Sequence, residues 1–257
     1  MSVGVNLNPG KECNFDCLYC QVDRGVPART RRVDLDVLRA ELDAILEAGR
    51  EGSLYEAPPF DAIPEGQRAI RDIAFSGDGE PTTHPRFGDA VALAADARRR
   101  FALDDTKLVL ITDAAYLAKP PVRAALEVLD RNNGEIWAKL DAGTEEYFRR
   151  VNRPNVTLRH VLDNIIDAAR VRPVVIQSLW MRVDEEPPPD AEVVAYCGRL
   201  GEIQAAGGRL KAIQLYTIAR TPTEPSVTPL TDAELDRIAG LVRTRIDVPV
   251  DVFYGAS

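Results

Sequence analysis

Apolar runs of β type alternate with stretches of helical period along nearly the whole of this 257-residue chain. The strand-like runs are VGVNLN (3–8), DIAFSG (72–77), KLVLIT (107–112), EIWAKLD (135–141), VVIQSLWM (174–181) and KAIQLYT (211–217). Between them apolar positions recur with a period near 3.6 residues. The first such stretch is LDVLRAELDAILEAG, which the pattern ends at Gly49. The others are 86–100, 120–131, 144–150 with 157–170, 190–207 and 231–245. In the last, TDAE supplies Thr231 as an N-cap with Glu234 three residues on.

Six strand–helix repeats predict an α/β fold of parallel strands joined by right-handed crossovers. An open doubly-wound sheet and a full or partial β/α barrel both fit the alternation, and both collect chemistry at the C-terminal ends of their strands. REGSLYEAPPFDAIPEGQ (50–67) reads as an irregular insertion and DEEPPPD (184–190) as a Pro-rich loop. Neither reads as a domain boundary, so residues 1–257 are expected to form one domain, closed by a helix and tail over 231–257.

Composition changes this picture little. A hydrophobic fraction of 45% and a charged fraction of 28% are ordinary for a globular protein. The start, MSVGVNLN, lacks the basic and apolar segments of a signal peptide, and no stretch approaches the ~20 apolar residues of a membrane span. Four cysteines, three of them clustered, do not form a disulfide framework, so a reducing cytoplasm is expected. A net charge of −8 argues against a protein that coats nucleic acid non-specifically, but not against a local patch that docks one RNA.

The polar clusters fall at predicted strand ends: NPGKEC after the first, GDGEPTTHP after the second, TDAA after the third, DAG after the fourth and YTIART after the sixth. In the first, Cys13, Cys17 and Cys20 are spaced C-x3-C-x2-C. Three thiolates this close suit one inorganic centre. Tetrahedral zinc wants a fourth ligand, which Cys197, His84 or His160 would have to supply, or keeps an open position. A cubane iron–sulfur cluster held by three cysteines leaves one iron open to a chelating substrate or cofactor. The bland reading is three small buried residues.

C-x3-C-x2-C with an aromatic, Tyr19, before the last cysteine resembles the signature of the radical S-adenosylmethionine (radical SAM) enzymes. FSGDGEPTTHP (75–85) resembles that superfamily's GGEP motif, with Asp78 in place of a glycine. ITDAAYL (111–117) lies where the family contacts the ribose, and IQLYT (213–217) where it contacts the adenine. VGVNLNPGKECNFDCLYC, FSGDGEPTTHP, WAKLDAGTEEYFRRVNRP and IQLYTIARTPTE further resemble the wyosine-synthase-like branch. Members of that branch carry additional cysteines for a second cluster ahead of this motif, and the residues before Cys13 hold none.

The resemblance implies a partial (β/α)6 TIM-like barrel and a [4Fe-4S] cluster on Cys13, Cys17 and Cys20. It implies S-adenosylmethionine bound near Tyr19, by Gly77, Asp78, Gly79 and Glu80, by Thr112 and Asp113, and by Gln214 and Tyr216. It implies reductive cleavage to a 5′-deoxyadenosyl radical that takes hydrogen from a substrate. An electron donor such as flavodoxin or ferredoxin is implied as partner. The substrate class is open between a nucleobase, in tRNA or free, a small metabolite and a peptide. A tRNA base modification of wyosine type is the alternative, with a non-catalytic zinc or iron–sulfur interaction module and a glycine-radical activating subunit ranked below it. Absence of a cysteine-rich C-terminal extension argues against some peptide-modifying subgroups.

In EIWAKLDAG, Trp137, Lys139 and Asp141 alternate and share one strand face, while Ala138 and Leu140 share the other. Lys139 and Asp141 are therefore the candidate catalytic residues. The ammonium suits an anionic substrate, a Schiff base or the S-adenosylmethionine carboxylate; the plain alternative is a self-neutralising ion pair. Gln214 and Tyr216 share a face likewise, whereas Gln177 reads as a core polar group. Arg149, Arg150 and Arg153 in FRRVNRP, and the RTRR run (29–32), read as anion receivers or as exposed basic helix ends. His84 falls near the site in sequence and His160 reads as structural.

Overall fold

A computed structural model describes residues 1–28, 30 and 33–255. Arg29, Arg31 and Arg32 of the RTRR run lie outside the described residues. Seven parallel strands carry the α/β fold, one more than the pattern predicts. The chain packs as two compact units: Met1–Glu12, Ala28–Ile111 and Lys119–Glu135 in the first, Cys13–Pro27, Thr112–Ala118 and Ile136–Ser257 in the second.

The first unit holds strands β1 (Ser2–Val5), β2 (Asp72–Phe75) and β3 (Lys107–Thr112) up to Ile111, and helices α1 (Leu35–Glu51), α2 (Phe87–Arg100) and α3 (Pro120–Asp130). β2 pairs in parallel with both β1 and β3. Ile73, Phe75, Leu108 and Leu110 are fully buried, and Phe75 meets Phe87 of α2 edge to face at 5.9 Å between centroids. Asp34 caps α1 by accepting from the Asp36 N–H. The helix runs past Gly49 and ends at Gly52, whose φ of 88° is the left-handed C-terminal conformation that glycine adopts without strain.

The second unit holds β4 (Gly134–Lys139) from Ile136 on, β5 (Val174–Leu179), β6 (Met181–Val183), β7 (Leu210–Tyr216), β8 (Val227–Pro229) and β9 (Val250–Phe253). Its helices are α4 (Glu145–Asn152), α5 (Leu158–Val171), α6 (Asp190–Ala205) and α7 (Asp232–Arg243). Parallel pairing runs β4–β5–β7–β9. The predicted fifth strand breaks at Trp180: β5 stops at Leu179, and β6 leaves to pair antiparallel with β8. The wholly buried Trp180 indole marks the break, packed between Tyr147 and Tyr196. β9 is the seventh parallel strand. Thr231 and Glu234 form the expected capping box at α7.

On β4 and β7 the alternation is as predicted. Ile136, Ala138, Ile213 and Leu215 are buried, while Trp137, Lys139, Gln214 and Tyr216 on the opposite face are half-buried. Register aligns Lys139 with Gln177, Gln177 with Gln214, and Gln214 with Asp251. Paired residues of neighbouring strands point to the same side, so these four form one polar row across the sheet. Gln177 is thus not the core amide its sequence suggests. It is half-buried, and its Nε2 donates to Gln214 Oε1 at 2.8 Å.

Candidate functional site

Cys13, Cys17 and Cys20 are free thiols, each half-buried, in the loop of residues 13–27. The C-terminal turn of α4 holds that loop through main-chain bonds. The Asp16 N–H donates to Asn152 O at 3.0 Å, the Leu18 N–H to Val151 O at 2.9 Å and the Asn155 N–H to Asn14 O at 3.1 Å. Phe15 stacks edge to face on Phe148 at 5.3 Å, with both rings buried. α4 can end there because Thr144 caps its start and Arg153 takes a left-handed conformation (φ 42°) after its last turn. FRRVNRP is therefore a brace for the cysteine loop. Its arginines are exposed and each faces an acid: Arg149 with Glu145, Arg150 with Asp184 and Arg153 with Glu224. At the other end of the loop, the Thr223 N–H and hydroxyl both donate to Cys20 O at 3.2 Å.

A buried side-chain network lies under the loop. The Tyr19 hydroxyl donates to Asp141 Oδ2, and Asn152 Nδ2 reaches Asp141 Oδ2 at 2.8 Å, Tyr19 Oη at 3.3 Å and Cys17 Sγ at 3.4 Å. Asp141 Oδ1 accepts from the Leu179 N–H at 2.9 Å. Both carboxylate oxygens are thus engaged inside the protein, and the residue is only 2% exposed. Lys139 Nζ sits 4.5 Å from the Tyr19 ring centroid. Burial pulls the Lys139 ammonium down, but Tyr216, Asp141 and the sulfurs of Cys17 and Cys13 outweigh it and hold the group above its ordinary range. Burial pushes the Tyr216 phenol up to about 12, against the pull of Lys139, with which it hydrogen-bonds. Loss of solvent likewise pushes the Cys17 thiol up to about 11, with Lys139 and Asn152 acting the other way. A metal must displace the proton from that thiol.

Arg24 Nη1 lies 3.5 Å from Cys20 Sγ and 3.2 Å from Asp16 Oδ1. Cys197 stands apart, buried in α6 with its thiol toward Leu241 O. After β3, Thr112 Oγ1 accepts from the Ala114 N–H at 3.0 Å, and Asp113 Oδ1 from the Ala115 N–H at 2.8 Å and Asn14 Nδ2 at 3.4 Å. His160 Nε2 and Asn164 Nδ2 both contact Ala115 O at 2.9 Å, so His160 is structural, as its sequence context suggests.

The GDGE segment belongs to the first unit. Asn6 Nδ2 donates to Asp78 Oδ2 at 2.9 Å, and the Asp78 N–H to Asn6 Oδ1 at 3.3 Å. Gly77 has a φ of 151°, and a Cβ there would strike Asn6. Gly79 is tighter still, since its Cβ would overlap the main-chain oxygen of Glu12. The Glu80 N–H donates to that same Glu12 carbonyl at 2.9 Å, while Glu80 Oε1 caps the short helix Pro81–Thr83 through the Thr82 N–H at 3.1 Å. His84 lies just beyond, and its Nδ1 accepts from the Arg86 N–H at 3.2 Å.

The residues fit a cluster with an open iron. The donor set is three uncrosslinked thiols in eight positions. Among the described residues no group of three or more His, Cys, Asp or Glu is arranged to hold a single ion.

The sequence singled out the three thiols, Lys139, Gln214 and Tyr216, but read Gln177 as a core amide and did not single out Asn152, Arg24, Thr223 or Asp251. Asn152 lies within a segment read for its arginines and for its likeness to the wyosine-synthase-like branch, and no spacing relates it to the cysteines.

A family model described as the radical SAM superfamily matches residues 7–192. Among curated proteins, the chain is 21% identical over 260 residues to a protein named GTPase Obg of Brachyspira hyodysenteriae, covering 98% of this chain and 33% of that protein. It is 26% identical over 170 residues to a UPF0026 protein of Methanocaldococcus jannaschii, covering 65% and 44%. The chain therefore spans less than half the length of these relatives. Among solved structures, Streptococcus suis SuiB bound to S-adenosylmethionine superposes with a TM-score of 0.63 at 11% identity, over 100% of this chain and 51% of that one. TYW1 with a lysine–pyruvate adduct bound gives 0.56 at 13% identity, over 94% and 73%. These likenesses show the fold, a partial TIM-like α/β barrel.

Proposed function

The chain belongs to the radical SAM superfamily, and from that premise we propose that Cys13, Cys17 and Cys20 each ligate one iron of its [4Fe-4S] cluster, with the fourth iron left for S-adenosylmethionine. The superfamily reaction, in which the reduced cluster cleaves S-adenosylmethionine to a radical that takes hydrogen from a substrate, is the chemistry these cofactors supply. The observation that carries the assignment is the bracing of the cysteine loop. Three backbone bonds to residues 151–155 and two to Thr223 fix the thiols in place before any metal arrives.

Gly77, Asp78, Gly79 and Glu80 form the turn for the methionyl end of S-adenosylmethionine, Gly79 being the position where backbone approach is closest. Thr112 and Asp113 present the ribose contact. Gln214 and Tyr216, with Gln177 beside them, supply the polar face toward the adenine or the substrate. Asp141 positions Tyr19 and Asn152 and does not react, because both of its oxygens are already bound. Lys139 remains a cation. Asp141 favours its protonated form, which suits an anionic group as its ligand better than Schiff-base chemistry.

Residues 1–257 act as one catalytic core, supplied with electrons by a flavodoxin or ferredoxin in the cytoplasm. Among the described residues no helix is long and apolar enough to cross a membrane. The substrate is an anionic small molecule or nucleobase.

Anaerobic reconstitution followed by reduction with dithionite in the presence of S-adenosylmethionine tests the reading. Cleavage to 5′-deoxyadenosine and methionine is expected. A fully loaded cluster that yields neither product would refute it.

A further inference from the structure

We infer that Asn152 and Arg24 set the reduction potential of the cluster by donating N–H···S hydrogen bonds to Cys17 and Cys20. The inference rests on the ligand assignment proposed above. Hydrogen bonds to the sulfurs are one of the levers by which a protein tunes an iron–sulfur potential. A donor at a ligating sulfur stabilises the added electron, so it makes reduction easier.

The geometry of Asn152 leaves little freedom. The residue is fully buried, and its amide nitrogen faces Cys17 Sγ at 3.4 Å and Asp141 Oδ2 at 2.8 Å. Its Oδ1 is buried with no hydrogen-bond partner. Rotating the amide by half a turn would place that oxygen against a carboxylate and a sulfur, both rich in electrons. The NH2 edge is therefore held toward the sulfur even though the carbonyl edge gains nothing from the arrangement. Asp141 is the anchor, since its other oxygen is fixed by the Leu179 N–H. When Cys17 gives up its proton to bind iron, its sulfur becomes the stronger acceptor and the contact tightens.

Arg24 acts on Cys20 from outside. Its Nη1 lies 3.5 Å from the sulfur and is steadied by Asp16 at 3.2 Å. A guanidinium keeps its charge at any pH the folded protein meets. One donor is thus neutral and buried, the other charged and partly exposed, on two different thiols.

The test is a redox titration of the anaerobically reconstituted protein, with dithionite as reductant, read by the EPR signal of the reduced cluster. Asn152→Leu, similar in size and without a donor, is expected to lower the midpoint by a tenfold change in the one-electron equilibrium, or about 59 mV. Arg24→Leu is expected to move it in the same direction. Arg149→Leu removes an exposed charge of the same unit that touches no cysteine, and is expected to leave the midpoint unchanged. An unmoved midpoint in Asn152→Leu with full iron and sulfide content overturns the inference. An equal shift in Arg149→Leu also does, because the effect would then be general charge. If Asn152→Leu fails to fold or load, Arg24→Leu decides alone by the same criterion. A wild-type protein that takes up no iron would instead refute the ligand assignment itself.

Discussion

Tyr19 and Asp141 lie 122 residues apart in the chain, yet the phenol of one donates to the carboxylate of the other beneath the cysteine loop. The bond ties the residue before Cys20 to the end of β4. Tyr19→Phe removes the donor and leaves a buried carboxylate oxygen served by Asn152 alone. The loss is expected to cost about 1–3 kcal/mol. Thermal unfolding of the metal-free protein should show the lower Tm, and iron content after reconstitution should fall with it. An unchanged Tm in Tyr19→Phe would show that the loop is held by its main-chain bonds only.

The brace on the loop is apolar and main-chain in nature, which separates the residues of FRRVNRP by effect. Phe148→Ala empties a buried site against Phe15 and should destabilise by about 3–5 kcal/mol. Arg149→Ala, at an exposed residue paired with Glu145, should stay within ~0.5 kcal/mol of wild type. Chemical denaturation of the two variants distinguishes a brace from an anion-binding site, for which the arginine would matter more.

Two glycines make a matched pair. At Gly79 an added Cβ would overlap the Glu12 carbonyl, and main chain cannot swing aside as a side chain can. Gly79→Ala should distort the turn and weaken S-adenosylmethionine binding by at least tenfold, or about 1.4 kcal/mol. At Gly88, inside α2, the nearest atom is Ala125 Cβ at 4.0 Å. Gly88→Ala should stabilise by roughly 0.5–1 kcal/mol through helix propensity. Isothermal titration and thermal melts give the two readouts.

Tyr216 predicts an alkaline weakness. Its folded pKa of about 12 lies above the ordinary 10 of an unfolded tyrosine, so the folded state holds the proton more tightly. The corresponding stability is complete below pH 10 and is lost as the pH rises to about 12. Unfolding free energy should fall across that window, and Tyr216→Phe should flatten the fall. Parallel curves for the two proteins would assign the alkaline loss to other groups.

How much of this was legible in the sequence depended on whether the signal was local. The C-x3-C-x2-C spacing, the Thr231–Glu234 capping box and the alternation of β4 all act within a few residues, and each appears where the pattern puts it. β9 escaped notice because VDVF is short and carries Asp251 on its exposed face, leaving too few apolar positions to register as a strand. Gly49 competed with Gly52 for the end of α1, and only the backbone turn distinguishes them. Gln177 reads as a core amide until the register aligns it with Lys139 and Gln214. Asn152 carries no local signal, because its contacts with Cys17 and Tyr19 arise only when distant segments pack.

That distance in the chain has a consequence for how the protein matures. Asp16 and Leu18 find their carbonyl partners at Asn152 and Val151, and Asn14 finds its donor at Asn155. During synthesis, the cysteine motif leaves the ribosome long before α4 exists to hold it. A nascent chain that stops short of residue 155 displays three thiols but no shaped loop. The loop therefore takes its shape only once α4 is complete.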